Sequence, residues 1–401
     1  MNLENPKKFA MLVEQAHQVA ANVLRPISRK YDKAEHDKPV ELNMLASLLD
    51  GMNDGAPESV GASSTGSGST TSTSTGVKNG SNMSAALGIM EMCWGDVGLL
   101  LAMPRQGLGN AAIAAVANEE QLARFKGKWA AMAITEPNVG SDSAAIRTTA
   151  VKDGDHYVLN GEKIYVTSGQ RADAVVVWAT LDKNIGRAAI KSFVVEHGTA
   201  GMEVTRLEHK LGIKASDTAA ITFTDCRVPA ENLLGTPEID VHKGFAGVMQ
   251  TFDNTRPLVA AMAVGVAKAS LDKTRELLKD HLSEDYADLP QNASYVEATL
   301  DRLEAEWEAA RLLTLKAAWM ADNKQPNSKE ASIAKAKAGR VANEVTLKCV
   351  ELCGAVGYAE TELLEKWARD SKILDIFEGT QQIQLLIVAR RLLGKSSSEL
   401  K

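Results

Sequence analysis

The order of hydrophobic periods along the chain constrains its fold more than any other feature. Apolar residues recur at helical spacing over residues 6–50 and 84–124, and the alternation typical of strands replaces that spacing over about 128–240. Helical spacing returns at about 241 and continues toward the end of the chain. Helices are predicted there at 241–282, 292–323, 329–353 and 370–393. This pattern favours a four-helix bundle.

We therefore predict a mainly α protein with a central β domain. The expected domains are an N-terminal helical domain at 1–127, a β-sheet or barrel domain at 128–240 and a C-terminal four-helix bundle at 241–401. Residues 61–82 contain seven Ser, five Thr and five Gly, a composition typical of a flexible segment that cannot bury a core. This segment is interpreted as a long insertion within one helical domain or as a linker between two.

Turn residues divide the middle zone into strands. Asn160-Gly161 lies between two alternating segments and predicts a hairpin turn, and residues 153–155 predict another turn. Residues 174–179 and 219–223 are expected to be short strands. No strand is followed by a GxGxxG motif, so a doubly wound dinucleotide fold is not expected.

Composition excludes several classes of partner. The formal net charge is −6 and basic residues are scattered, so neither nucleic acid nor an anionic membrane is an expected partner. The longest apolar run, 258–267, is far too short to span a bilayer, and the first residues lack the features of a secretory signal. Four dispersed cysteines favour reduced thiols in a cytoplasmic protein, with no disulfide framework and no metal site.

Four short segments carry the chemistry. In chain order they are Ala133-Ile134-Thr135-Glu136-Pro137-Asn138-Val139-Gly140-Ser141-Asp142, Gly161-Glu162-Lys163-Ile164-Tyr165-Val166-Thr167-Ser168-Gly169, Phe252-Asp253-Asn254-Thr255-Arg256-Pro257 and Asp375-Ile376-Phe377-Glu378-Gly379-Thr380-Gln381-Gln382-Ile383-Gln384. Each is weak evidence alone, but all four in this order resemble the acyl-CoA dehydrogenase family. The resemblance implies the same helical, β and helical-bundle order, FAD as cofactor, an acyl-CoA substrate and an electron-transfer flavoprotein as the acceptor of electrons.

The first two segments are the expected flavin site. Hydroxyls and backbone N–H groups in a Gly/Pro turn can donate to a flavin ring rim and to phosphate, and a flat aromatic at a strand end can cover a ring face. The alternatives without a function are an ordinary polar turn for the first segment and a packed tyrosine at a strand end for the second. The resemblance implies cofactor contacts from Met132, Ile134, Thr135, Gly140, Ser141, Tyr165, Val166, Thr167, Thr380 and Gln382.

Glu378 is the candidate catalytic base. The α-proton of a thioester is very weakly acidic, so its removal needs a placed base and stabilisation of the developing enolate oxygen. Beside Ile376 and Phe377, desolvation is expected to raise the pKa of Glu378. Gly379 lacks a Cβ, which would let a thioester approach closely. The alternative is a surface glutamate at a helix N-terminus.

The resemblance implies that Glu378 removes the α-proton while the β-hydrogen leaves as hydride to flavin N5, giving a trans-2-enoyl thioester. Ser141, Asp253, Arg256, Glu378 and Gly379 are the expected substrate contacts. Asp253 and Arg256 are three residues apart and could equally form a helical ion pair. Some relatives carry the base on this helix, but Asn254 and Thr255 offer no carboxylate.

Two departures from the family pattern concern the half of the site that a neighbouring subunit supplies. Residues 279–289 hold no arginine where relatives carry Arg-x-x-Phe-Gly, and residues 351–355 alter the usual Gln-x-x-Gly-Gly. The pattern resembles bacterial members that form heteromers, and we hypothesise a related partner subunit that supplies the missing groups. A homo-oligomer that binds FAD through other donors is the alternative.

Two other functions stay open. The first is a flavin-dependent acyl-CoA oxidase on the same scaffold, with oxygen as acceptor. The second is a non-catalytic subunit that completes a partner's active site, although the retained Glu378 argues against it.

Overall fold

The structure is a computed structural model. It describes residues 6–52, 80–104, 108–240, 246–282, 293–396 and 399, with side chains described for all of these except 47–52 and 246–254. Most of the Gly/Ser/Thr-rich segment, residues 61–79, therefore lies outside the described residues, as do residues 283–289 of the acidic stretch.

The N-terminal region is helical, as its periodicity predicts. Its helices are α1 Ala10–Val19, α2 Arg25–Lys33, α3 Glu41–Met52, α4 Ser81–Gly95, α5 Val97–Ala102, α6 Leu108–Val116 and α7 Glu119–Arg124. The Asp96 side chain caps the N-terminus of α5 by accepting a hydrogen bond from the backbone N–H of Leu99. The Asn118 side chain caps α7 in the same way by accepting from the backbone N–H of Gln121. Phe9, Val13 and Val19 face the core from α1 or its ends.

The middle region is a curled mixed sheet. Its strands are β1 Ala130–Ala133, β2 Thr149–Asp153, β3 His156–Thr167, β4 Ala174–Thr180, β5 Ile190–Glu196, β6 Met202–Leu207 and β7 Thr218–Pro229. β4 is buried along its whole length, pairs with β1 in parallel and with β5 in antiparallel fashion. β3 pairs with β2 on one side and with β7 on the other. The Ile164 N–H of β3 donates to the oxygen of Thr135, which follows β1, so the end of β3 lies beside the end of β1.

The predicted hairpin at Asn160-Gly161 is wrong. Both residues lie inside the continuous strand β3, where the register against β7 shifts between Leu159 and Gly161. Gly161 has φ +153°, and a Cβ there would stand 2.5 Å from Thr148 Oγ1. An Asn-Gly pair thus marks a β-bulge here, whereas the turn predicted at residues 153–155 does connect β2 to β3.

The C-terminal region is again helical. Its helices are α8 Ala246–Leu277, α9 Tyr295–Asp322, α10 Ser328–Leu352, α11 Gly354–Tyr358, α12 Leu364–Ser371 and α13 Gln381–Leu393. The single helix predicted at 370–393 is wrong. α12 ends at Ser371, a 3₁₀ turn follows over Lys372–Asp375, and the chain leaves helical geometry before α13 begins.

The helices of both ends share one hydrophobic core. Leu87 and Met90 of α4 belong to the same buried cluster as Val264 of α8, Leu303 of α9 and Val341 of α10. The β region has its own cluster around Val177 and Phe193, among others. The mainly α fold with a central sheet is therefore confirmed, while the domain limits at 127/128 and 240/241 stay a prediction.

A buried ionic cluster joins the three regions. The Lys366 ammonium on α12 lies 2.7 Å from Asp96 and 2.5 Å from Asp370, and both carboxylates are buried. Asp370 also accepts a hydrogen bond of 2.5 Å from the backbone N–H of Ile213, in the loop between β6 and β7. These bonds fix α12, and the chain leaving it, against the rest of the molecule.

All four cysteines are free, and Cys93, Cys226 and Cys349 are buried, as expected of reduced thiols. Within the described ranges, the helices lack an apolar stretch that could cross a membrane.

Candidate functional site

Glu378 lies on a connector, residues 376–379, between the 3₁₀ turn and α13. Glu378 has φ +55° and Gly379 has φ +91°, so two successive residues adopt the left-handed region. This geometry ends the helical chain, because an L-residue cannot continue a right-handed helix there. A Cβ at Gly379 would stand 2.5 Å from Gln384 Nε2, so the residue must be glycine to leave room for that amide.

Two buried polar side chains hold the carbonyl groups of the connector. Gln384 Nε2 donates to the oxygens of Glu378 and Gly379 at 3.0 and 3.1 Å. Lys335 Nζ, from the middle of α10, donates to the Gly379 oxygen at 2.7 Å. Both side chains are fully buried. They fix the backbone of the connector and thereby the direction in which Glu378 points.

The Glu378 carboxylate is partly buried and accepts a hydrogen bond from the Thr255 hydroxyl on α8. Burial raises the pKa of Glu378, while this hydrogen bond and the charges of Arg256 and Lys335 act in the opposite direction. The predicted direction of the shift is confirmed. Its cause is only partly as predicted, because Ile376 is 46% exposed and Phe377 alone packs against the core.

The backbone N–H of Glu378 differs from those of the two residues before it. The N–H groups of Ile376 and Phe377 both donate back to the Ile373 oxygen at 2.9 and 3.0 Å. The described residues provide no acceptor for the N–H of Glu378. A backbone N–H without an internal acceptor can donate to the oxygen of a bound ligand.

A second group of predicted residues meets at the ends of β1 and β3. The Thr135 oxygen accepts a hydrogen bond of 2.9 Å from the Ile164 N–H. Beneath this contact, Lys163 and Glu136 form a buried ion pair at 2.8 Å, and Lys163 also donates to the Ile134 oxygen at 3.0 Å. Glu136 further accepts from Thr148. The pair fixes the Thr135 segment against β3.

The side chains around this junction differ in exposure. Tyr165 is 62% exposed with φ +57°, and Ser168 has φ +59° with its Oγ buried and lacking a hydrogen-bond partner among the described residues. Met132, Ile134, Thr135 and Thr167 are half-buried, Val166 is buried, and Gly140 and Ser141 are exposed. Non-glycine residues with positive φ concentrate at functional sites, and Tyr165, Ser168 and Glu378 all belong to that set here.

The remaining predicted residues lie around α8 and α13. The Thr380 hydroxyl begins α13 by accepting from the Ile383 N–H, and Gln382 is exposed on the first turn. Arg256 is buried on α8, close enough to Glu378 to affect its pKa. The side chain of Asp253 lies outside the described residues, so its predicted ion pair with Arg256 stays a prediction.

Sequence reasoning missed four residues that shape the site. Lys335, Gln384, Glu136 and Lys163 were not predicted to take part, although three of them lie inside the quoted motifs. A lysine in an otherwise alanine-rich helix face was the available signal for Lys335, because a buried ammonium needs a specific partner.

Family comparisons decide the identity of the fold. Residues 131–226 match the middle domain of acyl-CoA dehydrogenase, and residues 242–393 match the C-terminal domain of acyl-CoA dehydrogenase. The short-chain specific acyl-CoA dehydrogenase of Clostridium acetobutylicum is 38% identical over 66% of this chain and 68% of that enzyme. The chain belongs to the acyl-CoA dehydrogenase family.

Solved structures extend the likeness over the whole chain. The butyryl-CoA dehydrogenase of Megasphaera elsdenii is 31% identical with a TM-score of 0.80, covering 98% of this chain and all of that one. A chain from work on the electron transferring flavoprotein of Acidaminococcus fermentans and flavin-based electron bifurcation is 30% identical with a TM-score of 0.81, over the same shares.

This chain is accordingly an oxidoreductase of the acyl-CoA dehydrogenase type, and its cofactor is FAD. The residues at the junction of β1 and β3 fit that group. Thr135 and Thr167 offer hydroxyls, Tyr165 offers an exposed aromatic face, and the buried Ser168 Oγ has a bonding capacity that no described residue uses.

Proposed function

We propose that this protein carries out the α,β-dehydrogenation of an acyl-CoA thioester to the trans-2-enoyl-CoA, with Glu378 as the base that removes the α-proton. The observation that carries the proposal is the state of Glu378. It is a partly buried carboxylate with a raised pKa, on a left-handed turn held by two fully buried donors.

A raised pKa suits Glu378 to this reaction. A carboxylate with an ordinary pKa is a weak base for removing a thioester α-proton, and general bases work best when their pKa lies near the operating pH. The Thr255 hydroxyl and the charges of Arg256 and Lys335 act against this rise in the pKa of Glu378. With its pKa raised by burial, the Glu378 carboxylate is a stronger base than a solvated glutamate.

The N–H of Glu378 supplies the second requirement. Negative charge develops on the thioester oxygen as the α-proton leaves, and a fixed backbone donor stabilises that charge. We assign this role to the N–H of Glu378, which has no acceptor among the described residues. Ser141, Asp253, Arg256 and Gly379 are proposed to hold the rest of the acyl-CoA.

FAD, when bound, supplies the acceptor for the β-hydride. The residues proposed to hold it are Met132, Ile134, Thr135, Gly140, Ser141, Tyr165, Val166, Thr167, Thr380 and Gln382. The Glu136–Lys163 pair keeps the β1 end and β3 together beneath them.

We also propose that an electron-transfer flavoprotein receives the electrons and that the enzyme works as an oligomer. One of the similar structures comes from work on such a flavoprotein. Because two named relatives act on short-chain acyl-CoA and butyryl-CoA, butyryl-CoA is the first substrate to test.

The test is an anaerobic titration of the purified flavoprotein with acyl-CoAs of increasing length, followed by the bleaching of the flavin absorbance. Glu378→Gln should retain flavin and ligand binding. Its rate of flavin bleaching should fall by a factor of about 10² to 10⁴, the usual contribution of a general base. Retained bleaching in this variant would remove Glu378 as the base. Faster turnover with oxygen than with an artificial acceptor would instead indicate the oxidase.

A further inference from the structure

A fully buried lysine lies beneath the catalytic connector. Lys335 is on α10, its side chain has no exposed surface, and its Nζ donates to the Gly379 oxygen at 2.7 Å. Its neighbours on the same face of α10, Ala331 and Ala338, are both buried. Because a buried ammonium is costly without compensating partners, its presence at this position calls for an electrostatic account.

Charged groups from three other elements face Lys335. Asp375 of the 3₁₀ turn and Glu378 of the connector favour its charged form, while burial and Arg256 of α8 disfavour it and lower its pKa to about 8. In return, Lys335 lowers the pKa of Glu378 against the effect of burial. The ammonium and the Glu378 carboxylate therefore stabilise each other's charge.

The hydrogen bond of Lys335 also constrains the connector. A glutamate with positive φ persists only where its surroundings hold it. Gln384 donates to the same Gly379 oxygen and also to that of Glu378, but it belongs to α13, which follows directly from the connector. Lys335 belongs to a separate helix of the bundle, so it alone of these two ties the connector to an independent element.

We infer that Lys335 is a positioning residue for the dehydrogenation: through its hydrogen bond to the Gly379 oxygen it anchors the turn that carries Glu378, and it places a positive charge beneath that turn. The inference rests on the proposed role of Glu378 as base. Lys335 acts in two ways: its hydrogen bond to the Gly379 oxygen constrains the backbone, and its positive charge acts through space on the Glu378 carboxylate. Substitutions at Lys335 separate the two effects.

Three variants separate them. Lys335→Met removes both the donor and the charge with little change of volume. Lys335→Gln removes the charge and keeps an N–H donor. Lys337→Met is the matched control, since Lys337 lies on the same helix but pairs with Glu306 of α9, away from the connector.

Three measurements apply to each variant. Flavin content and Tm report whether the protein folds and binds its cofactor. The pH dependence of butyryl-CoA-driven bleaching gives the plateau rate and its acidic limb. Infrared difference titration of the Glu378 carboxyl follows ionisation without turnover, with its band identified by its loss in Glu378→Gln.

The inference predicts a different result for each variant. In Lys335→Met and Lys335→Gln the Glu378 carboxyl should ionise at higher pH than in the wild type. The plateau rate should fall about ten- to a hundredfold in Lys335→Met, the size expected for a small displacement of a catalytic group. Lys335→Gln should retain more of that rate. Lys337→Met should match the wild type in all three measurements.

An unchanged carboxyl titration and plateau rate in folded Lys335→Met would overturn the inference. So would equal changes in Lys337→Met, which would show a general effect of the helix. If Lys335→Met fails to fold, the titration of Lys335→Gln decides the charge effect alone. A Glu378→Gln variant that still bleaches would refute the proposed function. If Glu378→Gln is inactive but the Lys335 variants match the wild type in all three measurements, only this inference is refuted.

Discussion

At the scale of single residues, the ionisation of Glu378 results from opposing contributions. Burial raises its pKa, and the Thr255 hydroxyl, Arg256 and Lys335 lower it. A hydrogen bond that the charged form accepts stabilises that form, so each of these partners shifts the acidic limb of the activity profile toward lower pH. The contribution of each partner to the pKa of Glu378 can be measured by substituting one partner at a time.

Thr255→Val tests the hydroxyl. The variant keeps the shape of the side chain but loses the donor to Glu378, so the pKa of Glu378 should rise. Because the base must be deprotonated, the acidic limb of the bleaching rate should move to higher pH, with the plateau little changed. Thr274→Val, a buried threonine on the same helix, is the control. A profile for Thr255→Val that overlays the control would show that this bond does not influence the base.

The sequence predicted Glu378 because its neighbours form a recognisable motif. It did not predict Lys335 or Gln384 as its supports, because which buried polar group meets which carbonyl depends on how α10 packs against the connector. Long-range contacts of this kind leave no periodic signal in the chain. The residues proposed to contact the substrate were thus more predictable than the residues that hold them in place.

At the scale of secondary-structure elements, both mispredictions concern backbone with positive φ. The segments 370–393 and 157–166 have the right period for a helix and for a hairpin, yet a left-handed turn at Glu378 and a bulge at Gly161 interrupt them. Periodicity reports which face is buried, and it is insensitive to a local change in φ that leaves that face intact. The element types were therefore predicted, but the interruption that creates the site was not.

Close packing of α10 on the 3₁₀ turn positions the connector. A Cβ at Gly339 would stand 2.9 Å from the Leu374 oxygen and 3.1 Å from Asp375 Cα, so Gly339→Ala should push the turn away. Overpacking of this kind costs about 1–3 kcal/mol of unfolding free energy. We expect a lower Tm and a lower bleaching rate.

Gly88→Ala in α4 is the matched control, because its nearest neighbour is Leu12 Cδ2 at 3.7 Å. Replacing a helical glycine with alanine at this uncrowded position should leave Tm unchanged or raise it. Equal Tm changes in the two variants would contradict the packing argument for Gly339.

The Glu136–Lys163 pair makes a prediction for the β1–β3 junction. Lys163→Met leaves the buried Glu136 carboxylate without its cation, a change that costs about 3–5 kcal/mol in buried pairs. Adding Glu136→Gln should recover part of the loss, since no unpaired charge remains. Chemical denaturation of the two single variants and the double variant measures this. A double variant as unstable as the sum of the singles would show that the pair is not coupled.

At the scale of the whole molecule, the helices of the two ends share one hydrophobic core. Sequence periodicity predicted the order of helical, β and helical regions, but it could not show that α4 packs against α8 and α9, because that contact joins residues far apart in the chain. The fold class was therefore predictable from local pattern, and the assembly of its regions was not.

The hypothesis of a heteromer belongs to this scale. Residues 351–355 end α10 and begin α11, and residues 283–289 lie outside the described part of the chain. If a related subunit supplies the missing arginine and phenylalanine, the chain expressed alone should bind less than one FAD per chain, and co-expression with that subunit should restore it. Native mass spectrometry checks this. A fully flavinated, active homo-oligomer would contradict the hypothesis.

The central claim is that Glu378 removes the α-proton, and proton transfer can be measured apart from hydride transfer. An acyl-CoA analogue with sulfur in place of the β-carbon has no β-hydride to lose but retains acidic α-protons. In D₂O the wild-type protein should replace these protons of the analogue with deuterium, and mass spectrometry follows the gain in mass. Glu378→Gln, with its flavin still bound, should slow the exchange by about 10² or more. Exchange at the wild-type rate in that variant would contradict the account.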